Sequence, residues 1–233
     1  MKIFCCYTPA HFVLFDQYFR PSLPPHFDLQ ATEFLLEGPG DFLSAEFLTC
    51  VRRKVERIMA SILENPGQWI IWSDVDIVFV RDPHSELERL ARQPDIDIFF
   101  QREGHGTRDV NTGFIFIHCT DRALAFFRAV QERLSVEPSR NEQLVINELL
   151  SQGQLEGAWD YLPFTFYART HGWPPPKDAM IYHANFTPGN DGIGQKIRQF
   201  TEFAWIRRWG FPAWLYSCMK RVPGKLFRVA FGG

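Results

Sequence analysis

The chain has 233 residues, of which 45% are hydrophobic and 22% are charged, and its formal net charge is −2 at pH 7. This composition is typical of one globular domain with a sizeable core, and no internal repeat or low-complexity linker indicates a second one. No stretch reaches the roughly 18 to 20 apolar residues of a membrane-spanning helix, and the N-terminus lacks the apolar core of a secretion signal. The five cysteines show no C-x-x-C spacing, which favours reduced thiols in the cytoplasm. We therefore expect a cytoplasmic protein, and no nucleic-acid partner.

The N-terminal segment KIFCCYTP, residues 2–9, predicts a first strand that ends in a loop at Thr8 and Pro9. In a nucleotide-binding α/β fold, this loop would hold the base. No G-x-G-x-x-G sequence follows, so a dinucleotide site is not supported.

A second strand is predicted within residues 27–36, followed by a loop at 38–40. Apolar residues then recur at helical spacing between Ser44 and Glu64. Ser44 is suited to cap this helix, and the Asn-Pro-Gly sequence at 65–67 ends it. A helix that leads into a buried strand is typical of a mostly parallel sheet.

Residues 70–80, IIWSDVDIVFV, are apolar except for Ser73, Asp74 and Asp76. Side chains alternate along a strand, so we expect both carboxylates on one face, about 6 to 7 Å apart. That geometry suits one hard divalent cation shared with the phosphates of a nucleotide. The alternative is a strand that runs into a turn with both carboxylates solvated.

Further strands are predicted in 95–101, 112–118, 159–163 and 180–186, and helices at 121–134 and 141–151. The glycine-containing segment 102–110 is predicted to be a mobile loop. The WPPP sequence at 173–176 predicts a rigid surface loop, because polyproline character prevents a helix.

Four segments occur in a characteristic order: SDVD at 73–76, NTGFIFIH at 111–118, NEQLVINELL at 141–150 and YHANFTPGNDGIGQK at 182–196. Over about residues 1–200 the chain resembles GT-A glycosyltransferases of the nucleotide-diphospho-sugar transferase type. It is similar to the families that include plant-type xylosyl and arabinosyl transferases and, more distantly, bacterial galactosyltransferases. The resemblance implies an α/β, Rossmann-like GT-A fold with a mostly parallel central sheet flanked by helices. It also implies transfer of a sugar from a nucleotide-diphosphate sugar, a UDP-sugar, to a glycan or lipid-linked acceptor.

In that family, the two aspartates of D-x-D and a later histidine bind Mn²⁺ or Mg²⁺, and a following lysine contacts the diphosphate. The implied metal ligands here are Asp74, Asp76 and His183, and the implied diphosphate contact is Lys196. An imidazole among oxygen ligands favours Mn²⁺ over Ca²⁺. The other histidines are interpreted as hydrogen-bonded core residues: His11, His26, His84, His105, His118 and His171.

The resemblance also implies the donor contacts. A basic residue on the helix before D-x-D, Arg53 or Lys54, is expected to reach the donor. The loop after the first strand would place Tyr7 and Thr8 against uracil, by stacking or hydrogen bonding.

The sugar site of the family is lined by an N-[ST]-G segment, matched by Asn111, Thr112 and Gly113. An Asp-Gln pair usually follows, and this chain has Glu142 and Gln143 instead. The resemblance favours retention of configuration, with the amide carbonyl of Gln143 stabilising the positively charged sugar. An inverting mechanism would need a carboxylate base, for which Glu142 and Asp109 are the alternatives.

Two other functions remain open. The DVDIV sequence also fits the nucleophile motif of haloacid-dehalogenase-like phosphatases, although no later G-D-x-x-x-D acidic pair is found. The third reading is a noncatalytic nucleotide-sugar-binding module that keeps the ligands without the reaction.

The two ends of the chain differ in charge. Residues 198–233 contain seven Lys or Arg against one acid, Glu202, together with aromatic side chains, whereas the rest has a net charge of about −8. We predict a transferase domain at 1–197 and a basic aromatic tail at 198–233. The tail is predicted either to form a helix on the inner face of an anionic membrane or to pack its aromatic residues on the domain.

Overall fold

The computed structural model describes residues 1–38, 41, 44–172, 174–187 and 189–219. Within them the strands are β1 Lys2–Tyr7, β2 Asp28–Glu33, β3 Trp69–Ser73, β4 Ile77–Phe79, β5 Ile98–Arg102, β6 Val110–His118, β7 Trp159–Tyr161, β8 Phe166–Ala168 and β9 Ile181–His183. Six of them form a central sheet in the order β2-β1-β3-β6-β5-β7. In it, β6 runs antiparallel to β3 and β5, and the other neighbours are parallel. The predicted mostly parallel sheet is confirmed.

The two aspartates were predicted to lie on one face of a strand, but they lie between two separate strands. Strand β3 ends at Ser73 and β4 begins at Ile77, and the two strands belong to different sheets. Asp74 and Asp76 lie in the turn between them, so they are not brought together by strand alternation. The apolar residues Ile77 and Phe79 after the turn are buried, and their strand β4 belongs to a second sheet of order β4-β9-β8.

The helices of the described residues are α1 Phe12–Leu14, α2 Arg20–Ser22, α3 Ala45–Glu64, α4 His84–Ala91, α5 Asp121–Val136, α6 Glu142–Ser151 and α7 Gly192–Trp209. A π-helical turn, Phe15–Phe19, joins α1 to α2. The predicted cap is confirmed, because Ser44 Oγ accepts a hydrogen bond from the Phe47 backbone N–H at the start of α3. Asn141 caps α6 in the same way, through the Leu144 N–H.

The central sheet is buried on both faces. Phe114 and Phe116 of β6 face a core made with the second sheet, α4 and α7, whereas Ile115 and Ile117 face α3, α5 and α6. Strand alternation thus assigns successive residues to two different cores. Burying each of these side chains contributes about 1.5 to 3 kcal/mol, so the sheet forms a rigid support for the turns at its end.

The last described segment packs on the second sheet. Helix α7 crosses the predicted boundary at 197/198, and Phe203 stacks on Tyr182 with ring centroids 4.0 Å apart. A further helix follows at 211–219, and the basic residues from Lys220 onward lie outside the described residues. In the part of the chain that is described, no helix is both long and apolar enough to cross a membrane. The prolines at 174–176 form neither helix nor strand, and Trp173 is outside the described residues.

Candidate functional site

A cavity of about 340 Å³ opens where the central sheet meets the second sheet. The end of β1, helix α3, the turn after β3, the start of β6, the start of α6 and the start of α7 all contribute to its wall. All twelve residues predicted for the site line this cavity: Tyr7, Thr8, Lys54, Asp74, Asp76, Asn111, Thr112, Gly113, Glu142, Gln143, His183 and Lys196. Arg53, the alternative to Lys54, does not line it, and its guanidinium lies over the Phe34 ring instead.

One end of the cavity gathers the predicted metal ligands. One ligand atom each from Asp74, Asp76 and His183 lies within 4.8 Å of the others. Asp76 is placed by its backbone, because its carbonyl accepts a hydrogen bond from the Ala184 N–H just after β9. Strands β4 and β9 pair in the register Ile77↔His183, which brings the imidazole beside the carboxylate.

The contacts of Asp76 suit a bound cation. Its Oδ2 lies 2.7 Å from Lys196 Nζ, whereas its Oδ1 is buried, has no hydrogen-bond partner among the described residues and lies 3.3 Å from His183 Nε2. Burial by itself would raise the pKa of Asp76, but nearby positive charge, with the Lys196 ammonium first, outweighs it and holds the pKa well below its usual range. The carboxylate is therefore ionised, with one buried oxygen free to ligate a metal, and the residues fit Mn²⁺ or Mg²⁺.

The cavity wall next to this cluster is organised around Lys54, which is paired with Asp74. Its Nζ lies 2.9 Å from Asp74 Oδ1 and 2.9 Å from Glu142 Oε1, and donates to the Thr112 carbonyl at 3.1 Å. Burial alone would lower the pKa of Lys54, but the two carboxylates outweigh this and raise it. Burial also raises the pKa of Asp74, and Lys54 offsets this only in part, with Asp76 adding to the rise. A third of the Asp74 side chain is open to the cavity, so water screens that effect.

The N-T-G segment, residues 111–113, is hydrogen-bonded both to the turn that carries Asp74 and to the start of α6. Thr112 Oγ1 donates to Glu142 Oε1 at 3.0 Å, and the Thr112 N–H donates to Gln143 Oε1 at 3.3 Å. Asn111 Oδ1 accepts from the Gly113 N–H at 2.9 Å, and the Gly113 carbonyl accepts from the Asp74 N–H at 2.7 Å. This segment therefore fixes the turn that carries the first aspartate as well as the start of α6.

Glu103 was missed at the level of sequence. Its Oε2 accepts hydrogen bonds from Asn111 Nδ2 at 2.6 Å and from Gln143 Nε2 at 3.3 Å, and the residue lines the cavity. It lies in the segment after β5 that was predicted only as a loop, and no motif marks it. Asp109, in the same segment, is exposed and does not line the cavity.

His11 was interpreted as a core residue, but it lines the cavity beside Thr8. Its Nδ1 lies 2.9 Å from Thr8 Oγ1, and burial, together with the nearby Lys196 cation, lowers the pKa of His11 to about 4. Tyr7 stacks on Phe15 with ring centroids 4.4 Å apart. This wall offers one aromatic ring and neutral hydrogen-bonding groups, which suits an uncharged nucleobase.

Two of the solved structures that are similar to this chain illustrate the likeness. A glycosyltransferase involved in the glycosylation of the major capsid of PBCV-1 superposes with a TM-score of 0.61 at 16% identity, covering 85% of this chain and 98% of that one. The glycosyltransferase GlyE of Streptococcus pneumoniae TIGR4 superposes with a TM-score of 0.54 at 9% identity, covering 86% of this chain and 64% of that one. At these identities the likeness concerns the fold, and the predicted GT-A fold is confirmed.

An uncharacterized protein of Arabidopsis thaliana is 28% identical over 118 residues, which are 51% of this chain and 34% of that protein. The chain thus spans about a third of the length of this relative. A family model described as nucleotide-diphospho-sugar transferase matches residues 23–200, a range that contains the metal-ligand cluster, the N-T-G segment and the lysine of α7. This match extends over most of the chain, and the chain therefore belongs to the nucleotide-diphospho-sugar transferase family.

Proposed function

We propose that the protein is a metal-dependent glycosyltransferase that transfers a sugar from a UDP-sugar to a glycan or lipid-linked acceptor with retention of configuration. The observation that carries the proposal is the cluster of Asp74, Asp76 and His183, in which a buried carboxylate oxygen has no hydrogen-bond partner within the described chain. Family membership and the GT-A fold support a nucleotide-diphosphate sugar as the donor. They do not fit the haloacid-dehalogenase-like alternative.

The residues at the metal end would hold the diphosphate. A divalent metal, Mn²⁺ or Mg²⁺, would neutralise the charge that develops on the leaving diphosphate as the glycosidic bond breaks. Asp74, Asp76 and His183 would ligate it, and Lys196 would donate to a phosphate oxygen. In the present structure Lys196 is bound to Asp76 at 2.7 Å, so it would turn from the carboxylate to the phosphate when the donor binds.

The residues at the proposed sugar site support retention of configuration over inversion. An inverting transferase needs a free carboxylate base beside the acceptor hydroxyl. Glu142 is paired with Lys54 and bonded to Thr112, and Asp109 does not line the cavity, so neither alternative is suited to that role. Gln143 lies at the cavity wall, where its amide would face the positively charged sugar.

Calorimetric titration of UDP with Mn²⁺ tests the site. Asp76→Asn and His183→Ala are each expected to abolish metal-dependent UDP binding and to leave the fold intact. Asp109→Asn is the matched control, since it changes an exposed carboxylate outside the cavity and should bind as the wild type does. Unchanged Mn²⁺ and UDP affinity in both site variants would refute the metal assignment.

The donor is identified by a thermal-shift panel of UDP-, GDP- and CMP-sugars with and without Mn²⁺, because a ligand that binds the folded state raises its stability by mass action. Binding of a UDP-sugar without transfer or hydrolysis would favour the noncatalytic module instead.

Of the two alternatives predicted for the tail, we propose contact with an anionic membrane, and the end of the described chain supports it. Trp209 and Phe211 are 59% and 61% exposed, next to the cations of Arg207 and Arg208. A basic, aromatic surface of this kind suits an anionic lipid headgroup layer, at about 1 kcal/mol for each basic residue. It would bring the cavity close to a lipid-linked acceptor.

Vesicle co-sedimentation at low and high salt tests this contact with the full chain. Helix α7 carries the buried residues Phe200 and Phe203, so truncation within it would damage the core, and point substitutions are preferable. Trp209→Ser with Phe211→Ser should reduce binding to phosphatidylglycerol vesicles, whereas Leu63→Ser, at an exposed leucine on α3, should not. If the wild type fails to bind at low salt, the acceptor is soluble and the membrane proposal is wrong.

A further inference from the structure

His183 is held by a residue outside the predicted site. Its Nδ1 lies 2.8 Å from Oε1 of Gln101, which is fully buried at the end of β5. The other end of that amide, Nε2, donates to the Phe166 backbone carbonyl at 3.0 Å. Gln101 therefore joins the central sheet to both the histidine and the second sheet.

The orientation of the Gln101 amide follows from its partners. A backbone carbonyl can only accept, so the amide nitrogen must face Phe166 and the amide oxygen must face His183. An amide oxygen can only accept, so the proton of a neutral His183 lies on Nδ1. The lone pair of Nε2 is then directed to the side of the ring that faces Asp76.

This tautomer leaves two acceptors in contact. Nε2 without a proton and Asp76 Oδ1 lie 3.3 Å apart, and no described residue donates a hydrogen bond to Oδ1. Two lone pairs at this distance repel each other unless a cation lies between them. The arrangement is therefore prepared for a metal ion by the hydrogen bond on the far side of the ring.

Gly113 provides the space for this arrangement. A methyl group at Gly113 would overlap the imidazole at Cε1 of His183, so the ring lies directly against the backbone of β6. The pairing of β5 with β6 changes here from Phe100↔Ile115 to Gln101↔Asn111, which displaces residues 112–114 from the β5 edge. The irregularity lets the side chains of Gln101 and His183 meet beside the glycine.

We propose that Gln101 is a positioning residue that sets the tautomer of His183 and thereby its affinity for the divalent metal, with Gly113 providing the space for the ring. This inference rests on the proposed metal site. It assigns Gly113 a role different from lining the sugar site. It also predicts that Gln101, which touches neither metal nor substrate, controls metal affinity.

Two substitutions separate this role from a purely structural one. Gln101→Glu keeps an acceptor for Nδ1–H but loses the donor to the Phe166 carbonyl, whereas Gln101→Met loses both at similar volume. Gln101→Met is expected to weaken Mn²⁺ binding by about 10- to 100-fold, and Gln101→Glu to retain affinity close to that of the wild type. An equal loss in both variants would show that the bond to Phe166, and not the tautomer, is what counts.

Mn²⁺ affinity is measured by calorimetry on the full chain, with His183→Ala as the reference and the melting temperature as a check on folding. If His183→Ala binds Mn²⁺ as tightly as the wild type, the proposed metal site is wrong. If His183→Ala loses affinity and a folded Gln101→Met does not, the metal site stands and the role of Gln101 is refuted.

The tautomer can also be measured directly, without any variant of Gln101. In ¹⁵N-histidine-labelled, metal-free protein, long-range ¹H–¹⁵N spectra should show a proton on Nδ1 and a bare Nε2 for His183, assigned through His183→Ala. A neutral ring that carries its proton on Nε2 would overturn the inference.

Discussion

Two lysines face the cavity, and each is paired with an aspartate of the D-x-D sequence. Lys54 is enclosed by Asp74, Glu142 and the Thr112 carbonyl, and its side chain is 6% exposed. Lys196 contacts a single oxygen of Asp76, and its side chain is 18% exposed. A cation with three protein acceptors is fixed in place, whereas one with a single acceptor at the cavity edge can exchange it for another anion. The difference supports a structural role for Lys54 and the proposed diphosphate contact for Lys196.

The largest expected effect is on stability, in Lys54→Met. Removing this cation leaves Asp74 and Glu142 as close carboxylates with no counter-charge, which costs about 3 to 5 kcal/mol of unfolding free energy for a buried pair. Lys196→Met is the comparison variant and should cost less, about 1 to 3 kcal/mol, because Lys196 is more exposed and cavity water can partly replace its ammonium beside Asp76. Both values come from denaturant unfolding, and equal losses would remove the distinction between the two lysines.

Gln143→Ala tests the proposed stabilisation of the charged sugar by the residue that follows Glu142, the partner of Lys54. We expect turnover to fall on the order of 10²-fold while donor binding stays nearly unchanged, because the proposed contact with the charged sugar is made mainly in the transition state. Steady-state kinetics and calorimetric donor binding give the two values. A fall in affinity as large as the fall in rate would make Gln143 a binding residue.

Lys196→Met should change ligand binding in two opposite directions. Without the ammonium 2.7 Å from Asp76, Mn²⁺ alone is expected to bind about tenfold more tightly, because a repelling cation is gone. UDP in the presence of Mn²⁺ should bind about tenfold more weakly, since a charged hydrogen bond to the diphosphate is lost. Titrations of the metal alone and of UDP at saturating metal measure the two effects, and parallel changes would refute the exchange of partners.

The smallest expected effect is on His11, whose pKa of about 4 is lowered by burial first and by Lys196 second. A depressed histidine pKa contributes stability that is present above its unfolded value of about 6.5 and lost as the pH falls toward 4. Lys196→Met should raise the pKa of His11 and so reduce this loss, whereas Lys54→Met should leave it unchanged. NMR titration of the His11 ring follows the pKa, and a shift of equal size in both variants would contradict the contrast.

The sequence was most informative about features that depend on residues close together in the chain, such as helix caps and short motifs. Ser44 and the helical spacing from there to Glu64 were sufficient to predict α3, since capping and amphipathicity are local properties. All twelve predicted site residues lie on one cavity. Glu103 and Gln101 were missed because neither belongs to a motif, and each acquires its role from partners far along the chain.

The expectation that strand alternation places Asp74 and Asp76 on one face failed for a related reason. The apolar spacing is the same for one long strand and for two short strands in different sheets, so periodicity cannot locate the break. The break depends on Gly113, whose carbonyl accepts the Asp74 N–H, and on β9, which pairs with β4. These contacts bring together residues that are far apart in the chain.

The amino-acid sequence by itself determined the α/β pattern of strands and helices, the family resemblance and the residues that carry charge into the cavity. Only the tertiary structure decided which protein acceptors surround each lysine, which oxygen of Asp76 has no hydrogen-bond partner in the described part of the chain, and which nitrogen of His183 faces it. The physical reason is that propensity, capping and periodicity act between neighbours in sequence. The direction of a hydrogen bond or the enclosure of a charge depends on atoms that meet only when the sheets have packed.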